Sequence, residues 1–168
     1  MSNTTNRDYL FVPFTLNDIN VVELLIEFRY KYDDNLFLEN GSIMDVTGTK
    51  AINQEVVATY ASLDSTIEKC KFSEQQINMI KMVEQGYTQE EISNEFQIGN
   101  NVSKLMKTIY KAIVKENERQ WRKVHYTRTL GLKTVGCSKC NEQLPATDEF
   151  FNYDSTNSRY KSSCKKCR

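Results

Sequence analysis

The chain has 168 residues, of which 39% are hydrophobic and 26% charged, and its formal net charge is zero. This length and composition suit one or two small domains with cores of modest size. No apolar run approaches the ~20 residues of a membrane helix, and the N-terminal stretch MSNTTNRDYLFVPF lacks the small-residue cleavage site of a signal peptide. We therefore expect a cytoplasmic protein with no membrane partner, in which thiols stay reduced.

The charge is divided unevenly along the chain. Residues 1–70 carry 5 Lys or Arg against 11 Asp or Glu, whereas residues 71–130 carry 10 against 7 and residues 131–168 carry 7 against 4. The stretch 100–128 holds 8 basic and 2 acidic residues. A basic segment along one predicted helix is the electrostatic footprint of a polyanion partner, although a solvated helix face has the same composition.

Residues 1–70 predict an acidic, helical, protein-binding domain. The apolar residues of TLNDINVVELLIEFRYKY recur at helical spacing, and Thr15 or Asn17 can cap this helix. A second helix is predicted over AINQEVVATYASL. Its expected inner face consists of Ile52, Val56, Val57 and Tyr60.

Two capping boxes mark the starts of the next two helices. Ser73 with Gln76 precedes an apolar stripe, predicted to include Ile77, Ile80 and Val83, and Thr88 with Glu91 opens a short helix that ends near residue 96. Gly86 stands between them where a left-handed C-cap is typical. The two signals predict consecutive helices separated by a tight turn.

A third, basic helix is predicted to begin near Asn101, after a turn at residues 98–101. Its expected inner face is Val102, Leu105, Ile109 and Ile113. A short capped helix, a Gly-containing turn and a longer basic helix form the outline of a helix-turn-helix. The residues expected to contact bases or phosphates are Thr88, Asn100, Asn101, Ser103, Lys104, Lys107, Thr108, Lys111, Lys115, Arg119, Arg122 and Lys123.

This segment, GYTQEEISNEFQIGNNVSKLMKTIYKAI, resembles the helix-turn-helix of sigma-factor region four and of LuxR-type regulators. The resemblance covers about residues 72–115 and implies double-stranded DNA binding with the third helix in the major groove. In place of the family's usual Ser cap this chain has Gly99. A plain three-helix bundle without DNA is the alternative. Glu90, Glu91 and Glu95 on the second helix favour it slightly, because they would repel phosphate if they faced it.

The chain ends with two Cys-x-x-Cys pairs, Cys137 with Cys140 and Cys164 with Cys167. Two such pairs are typical of a four-thiolate zinc site, so we expect one structural zinc ion. An iron–sulfur cluster uses the same ligands and stays open, whereas a redox domain or a disulfide framework does not fit the length or the compartment. The insert offers a small expected core of Leu144, Phe150, Phe151, Tyr153 and Tyr160.

The wording CSKCNEQLPATDEFF and YKSSCKKC resembles the zinc-ribbon or treble-clef modules of bacteriophage proteins. A treble clef places its second knuckle at the start of a helix, whereas this sequence stops at Arg168, so we expect a ribbon-like or truncated module. Some such modules accompany HNH nucleases, but the single histidine, His125, cannot supply that constellation. We therefore do not expect an enzyme.

The sequence predicts a mainly α protein in three parts. These are a helical domain over residues 1–70, a helix-turn-helix domain with a basic extension over 71–130, and a zinc-bound β-ribbon module over 131–168. The expected function is sequence-specific DNA binding by a phage or prophage transcription regulator in the bacterial host cytoplasm. RNA polymerase, or another copy of the chain bound through the N-terminal domain, is the expected protein partner. The alternatives are a packaging or recombination accessory, such as a small terminase-like subunit, and a protein adaptor that binds polymerase but not DNA.

Overall fold

The computed structural model describes residues 16–31 and 54–168, and in this part the protein is mainly helical with a small C-terminal β region, as the sequence predicts. The α-helices are α1 (Ile19–Glu27), α2 (Gln54–Lys69), α3 (Glu74–Glu84), α4 (Gln89–Phe96) and α5 (Val102–Val124). A π-helical turn, His125–Thr129, follows α5. The strands are β1 (Thr134–Gly136), β2 (Gln143–Pro145), β3 (Phe151–Asp154) and β4 (Arg159–Cys164).

The chain forms two compact units, Met1–Asn117 and Glu118–Arg168, each with most of its contacts inside itself. The described helices on both sides of residue 70 contribute to one core in the first unit. The domain boundaries predicted after residues 70 and 130 stay predictions.

The core of the first unit is built from one apolar face of each helix. Val22 and Ile26 of α1 are fully buried, as are Ile109 and Ile113 of α5. Arg29 is partly buried, and its guanidinium donates hydrogen bonds to the carboxylates of Asp64 and Glu84. These contacts join the N-terminal helices to the helices of the predicted helix-turn-helix.

Several predicted inner-face residues lie elsewhere. Leu105 of α5 is 37% exposed, and Met106 is buried in its place. With 100° of rotation per residue, Leu105 lies about 70° from the centre of the buried face and Met106 only about 30°. Ile77 and Val57 are likewise exposed. Ile52 lies outside the described residues.

The start of α1 also differs from the prediction. Asp18 caps the helix, because its side chain accepts a hydrogen bond from the Asn20 N–H at 2.8 Å. Asn17 instead accepts from the Asn117 side chain at 2.7 Å. Thr15 lies outside the described residues. Aspartate is among the strongest N-cap residues, so the observed cap agrees with helix chemistry even though another residue was expected.

Both predicted capping boxes are confirmed. In the second box, the Thr88 hydroxyl accepts from the Glu91 N–H at 3.3 Å, and the Glu91 carboxylate accepts from the Thr88 N–H at 2.8 Å. Gly86 has a φ of +83°, and a Cβ there would lie 3.4 Å from the Tyr30 ring. The predicted left-handed C-cap is therefore confirmed, and the ring packs directly on it.

The turn between α4 and α5 is tight and partly helical. Gln97 adopts a left-handed φ of +54°, and Gly99–Asn101 form a 3₁₀ turn. The Ser93 hydroxyl donates to the Gly99 carbonyl at 2.9 Å, and the Asn101 amide donates to the Ile98 carbonyl at 3.1 Å. Side-chain hydrogen bonds thus fix the turn at the place where the usual Ser cap is missing.

We expect Thr88→Ala to destabilise the first unit by about 1 kcal/mol, because the Glu91 N–H loses its acceptor.

The hydrogen bonds that the Thr88 N–H and hydroxyl donate hold the pKa of Glu91 below its ordinary value. The charged form is thus favoured in the folded state, so its stabilisation is present above the ordinary pKa and is lost as the pH falls through the lowered one. Glu91→Gln should flatten this acid limb of stability, measured by thermal unfolding from pH 7 to pH 3.

The uncharged Ser73–Gln76 box supplies the control for that experiment. Replacing Gln76 with Ala should lower stability equally at all these pH values, because no titrating group is removed. An acid limb that Glu91→Gln leaves unchanged would contradict the assignment.

The second unit contains two antiparallel hairpins. Strand β1 pairs with β2, with Val135 opposite Leu144, and β3 pairs with β4, with Tyr153 opposite Tyr160. Leu144, Phe150 and Phe151 are buried as predicted. Tyr160 is only partly buried and Tyr153 is 51% exposed. The pairing of β3 with β4 shifts register between Phe151 and Tyr153, and beyond this shift the Tyr153 and Tyr160 rings contact each other edge to face.

Candidate metal centre and candidate nucleic-acid interface

The two hairpins bring the Cys-x-x-Cys pairs together. Cys137 directly follows β1, and Cys140 lies in the turn that leads to β2. Cys164 ends β4, and Cys167 ends the 3₁₀ turn that follows it. Each pair therefore lies where a strand meets a turn, and such turns can direct two sulfurs at one point.

The four sulfur atoms of Cys137, Cys140, Cys164 and Cys167 lie within 4.8 Å of one another. The Cys140 and Cys164 sulfurs, one from each pair, are 3.9 Å apart. None of these four cysteines is in a disulfide. The expectation that the two pairs converge is confirmed, and the cluster is compatible with a structural metal ion.

Backbone N–H groups point at the sulfur of Cys137, one of the two buried cysteines of the cluster. Cys137 accepts from the Cys164 N–H at 3.2 Å and from the Lys139 N–H at 3.4 Å. The first of these bonds is the main cause that lowers the pKa of the Cys137 thiol to about 6. Burial raises the pKa of the Cys164 thiol to about 12. Backbone hydrogen bonds therefore favour the thiolate form of Cys137, whereas burial disfavours the thiolate form of Cys164. A cation bound between the two sulfurs would favour the thiolate at both.

The predicted DNA-contacting residues of the first unit all lie exposed. They are Thr88, Asn100, Asn101, Ser103, Lys104, Lys107, Thr108, Lys111 and Lys115. Lys104, Lys107, Lys111 and Lys115 form one stripe, here called the lysine stripe, about 180° around α5 from the buried residues Val102 and Ile113. No acidic side chain in the described part of the chain forms an ion pair with the lysine stripe.

The three basic residues predicted for the helix extension are engaged inside the second unit. Arg119 and Lys123 both donate to the Glu142 carboxylate, at 2.7 and 2.9 Å. Arg122 donates to Glu149 at 2.6 Å. Partial burial raises the pKa of Glu142, but the hydrogen bonds from Arg119 and Lys123 outweigh it and hold the pKa below its ordinary value.

The sequence reasoning missed Glu142 and Glu149 as partners of these cations. Only the fold brings them together, because 19 to 27 residues separate the partners. Two aromatic residues near these ion pairs differ in their contacts. Trp121 is 62% exposed and stacks on His125, whereas Tyr126 meets Phe150 edge to face.

We expect Glu142→Gln to destabilise the second unit by roughly 1–2 kcal/mol, because two partly buried cations lose a charged acceptor. Hydrogen exchange of the strand amides in full-length protein measures this. Asp148→Asn is the matched control, because Asp148 is exposed and has no ion pair within the described chain. Equal exchange rates in both variants would show that the ion pairs contribute nothing.

No protein-family profile, curated protein or solved structure matches this chain. Every helix in the described ranges is too short or too polar to cross a membrane.

Proposed function

We propose that the protein is a sequence-specific double-stranded DNA-binding regulator of transcription, in which α4 and α5 act as the helix-turn-helix. The lysine stripe is the observation that carries this proposal. It extends over about 16 Å of α5 from Lys104 to Lys115, a length comparable to several phosphate spacings along DNA. Free cations at this spacing favour a polyanion over a protein surface of mixed charge.

Residues beside the lysine stripe supply the means to read bases. Asn100 and Ser103 are exposed at the N-terminal end of α5, where a recognition helix contacts base edges. Asn101 is also exposed, although one of its amide hydrogens is engaged by the Ile98 carbonyl. In this proposal the lysines bind phosphates and set the register, while these three side chains supply preference for particular bases.

The ion pairs of the second unit reduce the number of basic residues that are available for DNA contact in this proposal. Arg119, Arg122 and Lys123 already have carboxylate partners, so a phosphate would have to compete with Glu142 or Glu149 for them. We therefore assign the main DNA contact to residues 100–115 and give the three extension residues a smaller share.

The four cysteines hold one structural zinc ion in this proposal. Four thiolates arranged tetrahedrally at ~2.3 Å from Zn²⁺ lie ~3.8 Å from one another, close to the 3.9 Å between Cys140 and Cys164. A multi-iron cluster would hold the sulfurs farther apart. Zinc would cross-link the two hairpins, and a closed four-thiolate set leaves no position for a catalytic water.

The acidic N-terminal part contacts protein rather than DNA in this proposal. Residues 1–70 carry 11 acidic against 5 basic residues, and such a surface is repelled by phosphate. Another copy of the chain and RNA polymerase are the proposed partners, in the cytoplasm of a bacterial host.

Selection from a pool of random-sequence duplex DNA tests the DNA-binding proposal. The zinc-loaded full chain is titrated at two salt concentrations, and DNA retained at the higher one is sequenced. A recovered motif supports a regulator and identifies its site. Salt-sensitive binding without a motif would replace the proposal with a packaging or architectural role, and absence of binding would replace it with the protein-adaptor role.

A further inference from the structure

A connected series of aromatic rings runs from the core of the second unit to its surface. Phe150 is 3% exposed, and the Tyr126 ring meets it edge to face with the centroids 6.3 Å apart. The His125 ring lies 6.0 Å from Tyr126, and the Trp121 indole stacks on His125 at 5.0 Å with the two ring planes 6° apart. The exposed tryptophan is therefore held in place by rings that reach the buried core.

The Trp121 indole presents an open aromatic face. It is the only tryptophan of the chain and is 62% exposed. Because His125 covers one face, an exposure this high means that most of the opposite face lies in solvent. A single exposed apolar side chain is ordinary on a protein surface. A large ring that is already held in position, however, loses little conformational entropy on binding, and tryptophan is enriched among the residues that dominate binding energy.

The backbone beside this ring series is unusual. His125–Thr129 form a π-helical turn, after which the Leu130 N–H donates to the His125 carbonyl at 3.2 Å. Such π-helical turns are rare and occur frequently at functional sites. The turn also contains Arg128, so a guanidinium belongs to the same turn as the ring that supports Trp121.

The charge of the second unit favours an anionic partner. Residues 118–168 hold 11 basic against 5 acidic residues, and three of the five acidic residues already pair with basic residues of α5. Arg128 and Lys133 are exposed, and neither forms an ion pair with a carboxylate in the described ranges. A nucleotide combines a flat base with an anionic phosphate, which matches an open indole face and an unpaired guanidinium better than an acidic protein surface does.

The base that such an indole binds has to be unpaired. Within a duplex, neighbouring base pairs cover both faces of each base, so a side chain reaches a face only where the stack is opened. Stacking of bases on aromatic side chains, with cations along the backbone, is the usual mode of single-strand binding. The choice of DNA over RNA rests on the DNA-binding function proposed above, whereas the stacking geometry does not depend on it.

We propose that the second unit binds single-stranded DNA, with one base stacked on the open face of Trp121 and a phosphate of the same strand bound by Arg128. His125 positions the indole from its other face. The lysine stripe of the first unit contacts duplex DNA in the proposed function, so the two units recognise different forms of DNA.

Fluorescence titration of the zinc-loaded full chain tests the inference, because Trp121 is its only tryptophan. The probe is a short oligothymidylate, and an abasic oligonucleotide of equal length keeps the phosphates but has no bases. We expect saturable quenching of the indole emission by the oligothymidylate and none by the abasic strand. Equal quenching by both, or quenching by neither, would overturn the inference.

Anisotropy of a fluorescein-labelled oligothymidylate measures binding when Trp121 itself is replaced. Trp121→Ala should bind about tenfold more weakly because one stacked base is lost, and Arg128→Gln should lower the slope of log K against log salt by about 0.7. Tyr153→Ala is the matched control, because Tyr153 is 51% exposed and its ring contacts Tyr160. It should bind as the wild type does. Unchanged affinity in Trp121→Ala, or an equal loss in Tyr153→Ala, would contradict the proposal.

Further outcomes separate this inference from the proposed function. Salt-dependent duplex binding without quenching by the single strand would overturn this inference alone, whereas quenching in a chain that binds no duplex would support it and refute the proposed function. Tighter binding of an oligouridylate than of the oligothymidylate would overturn the assignment to DNA. If Trp121→Ala loses the dispersed amide resonances of the wild type, the abasic strand and Arg128→Gln decide the outcome.

Discussion

Replacing Cys137 with serine is expected to abolish metal binding and to unfold the second unit while the helices of the first unit persist. Cys137 is 1% exposed and its sulfur accepts two backbone hydrogen bonds, so it is firmly held in the folded unit. Structural zinc contributes an apparent ~10–16 kcal/mol in small zinc-binding peptides, far more than a core of this size supplies. The loss should therefore be nearly complete rather than graded.

Two measurements check this prediction. Elemental analysis should give one zinc per wild-type chain and none in Cys137→Ser, and a comparable iron content would instead replace zinc with iron. Amide NMR spectra should lose the dispersed resonances of the strands, and chelation of the wild type should have the same effect.

Cys70→Ser provides the control for thiol chemistry in general. Cys70 lies in the first unit, 3.7 Å from the Ala112 carbonyl, and is not part of the cluster. It should leave metal content unchanged. A folded second unit in metal-free Cys137→Ser protein would refute the structural role of the metal.

Replacing Lys104, Lys107 and Lys111 together with alanine is expected to weaken DNA binding for all sequences. Each phosphate contact contributes about 0.9 to the slope of log K against log salt, so the triple variant should lose about 2.7 of that slope. The stability of the first unit should hardly change, because the lysine stripe is exposed and lies opposite the core. Fluorescence titration of labelled duplex DNA at several salt concentrations gives the slope directly.

Single variants distinguish DNA contacts made by the lysine stripe from a general effect of positive charge on the protein. Lys107→Ala should reduce the slope by about 0.9. Lys81 is also an exposed lysine, on α3, and Lys81→Ala should leave the slope unchanged. Asn101→Ala should instead relax base preference by about 1–3 kcal/mol at one position. Equal slopes for both lysine variants would mean that α5 is not the binding helix.

Local chemistry explains why much of the fold could be predicted. The capping boxes at Ser73 and Thr88 depend on residues three apart, and the left-handed Gly86 depends on a single residue without a Cβ. Each Cys-x-x-Cys pair is recognisable because a short turn can bring its two sulfurs together. All of these signals act over a few residues, so they can be recognised without knowing the tertiary structure.

The errors arose where the choice between neighbouring residues depends on packing. Periodicity identified α5 but not its exact rotation, so Leu105 was expected inside and Met106 is found there. Asp18 caps α1 because it directly precedes Ile19, the first residue of the helix. Local signals placed the starts of α3, α4 and α5 within a residue or two. The predicted helix over residues 51–63 instead extends to Lys69 in α2.

The sequence by itself determined the starts of α3, α4 and α5, the basic face of α5 and the four metal-ligand candidates, because each depends on residue type and short spacing. Only the tertiary structure decided that Glu142 engages Arg119 and Lys123, and that Tyr110 and Glu27 line one cavity. These arrangements join residues far apart in the chain. Their electrostatics depend on burial and on distance in space, which are set when the helices and hairpins pack.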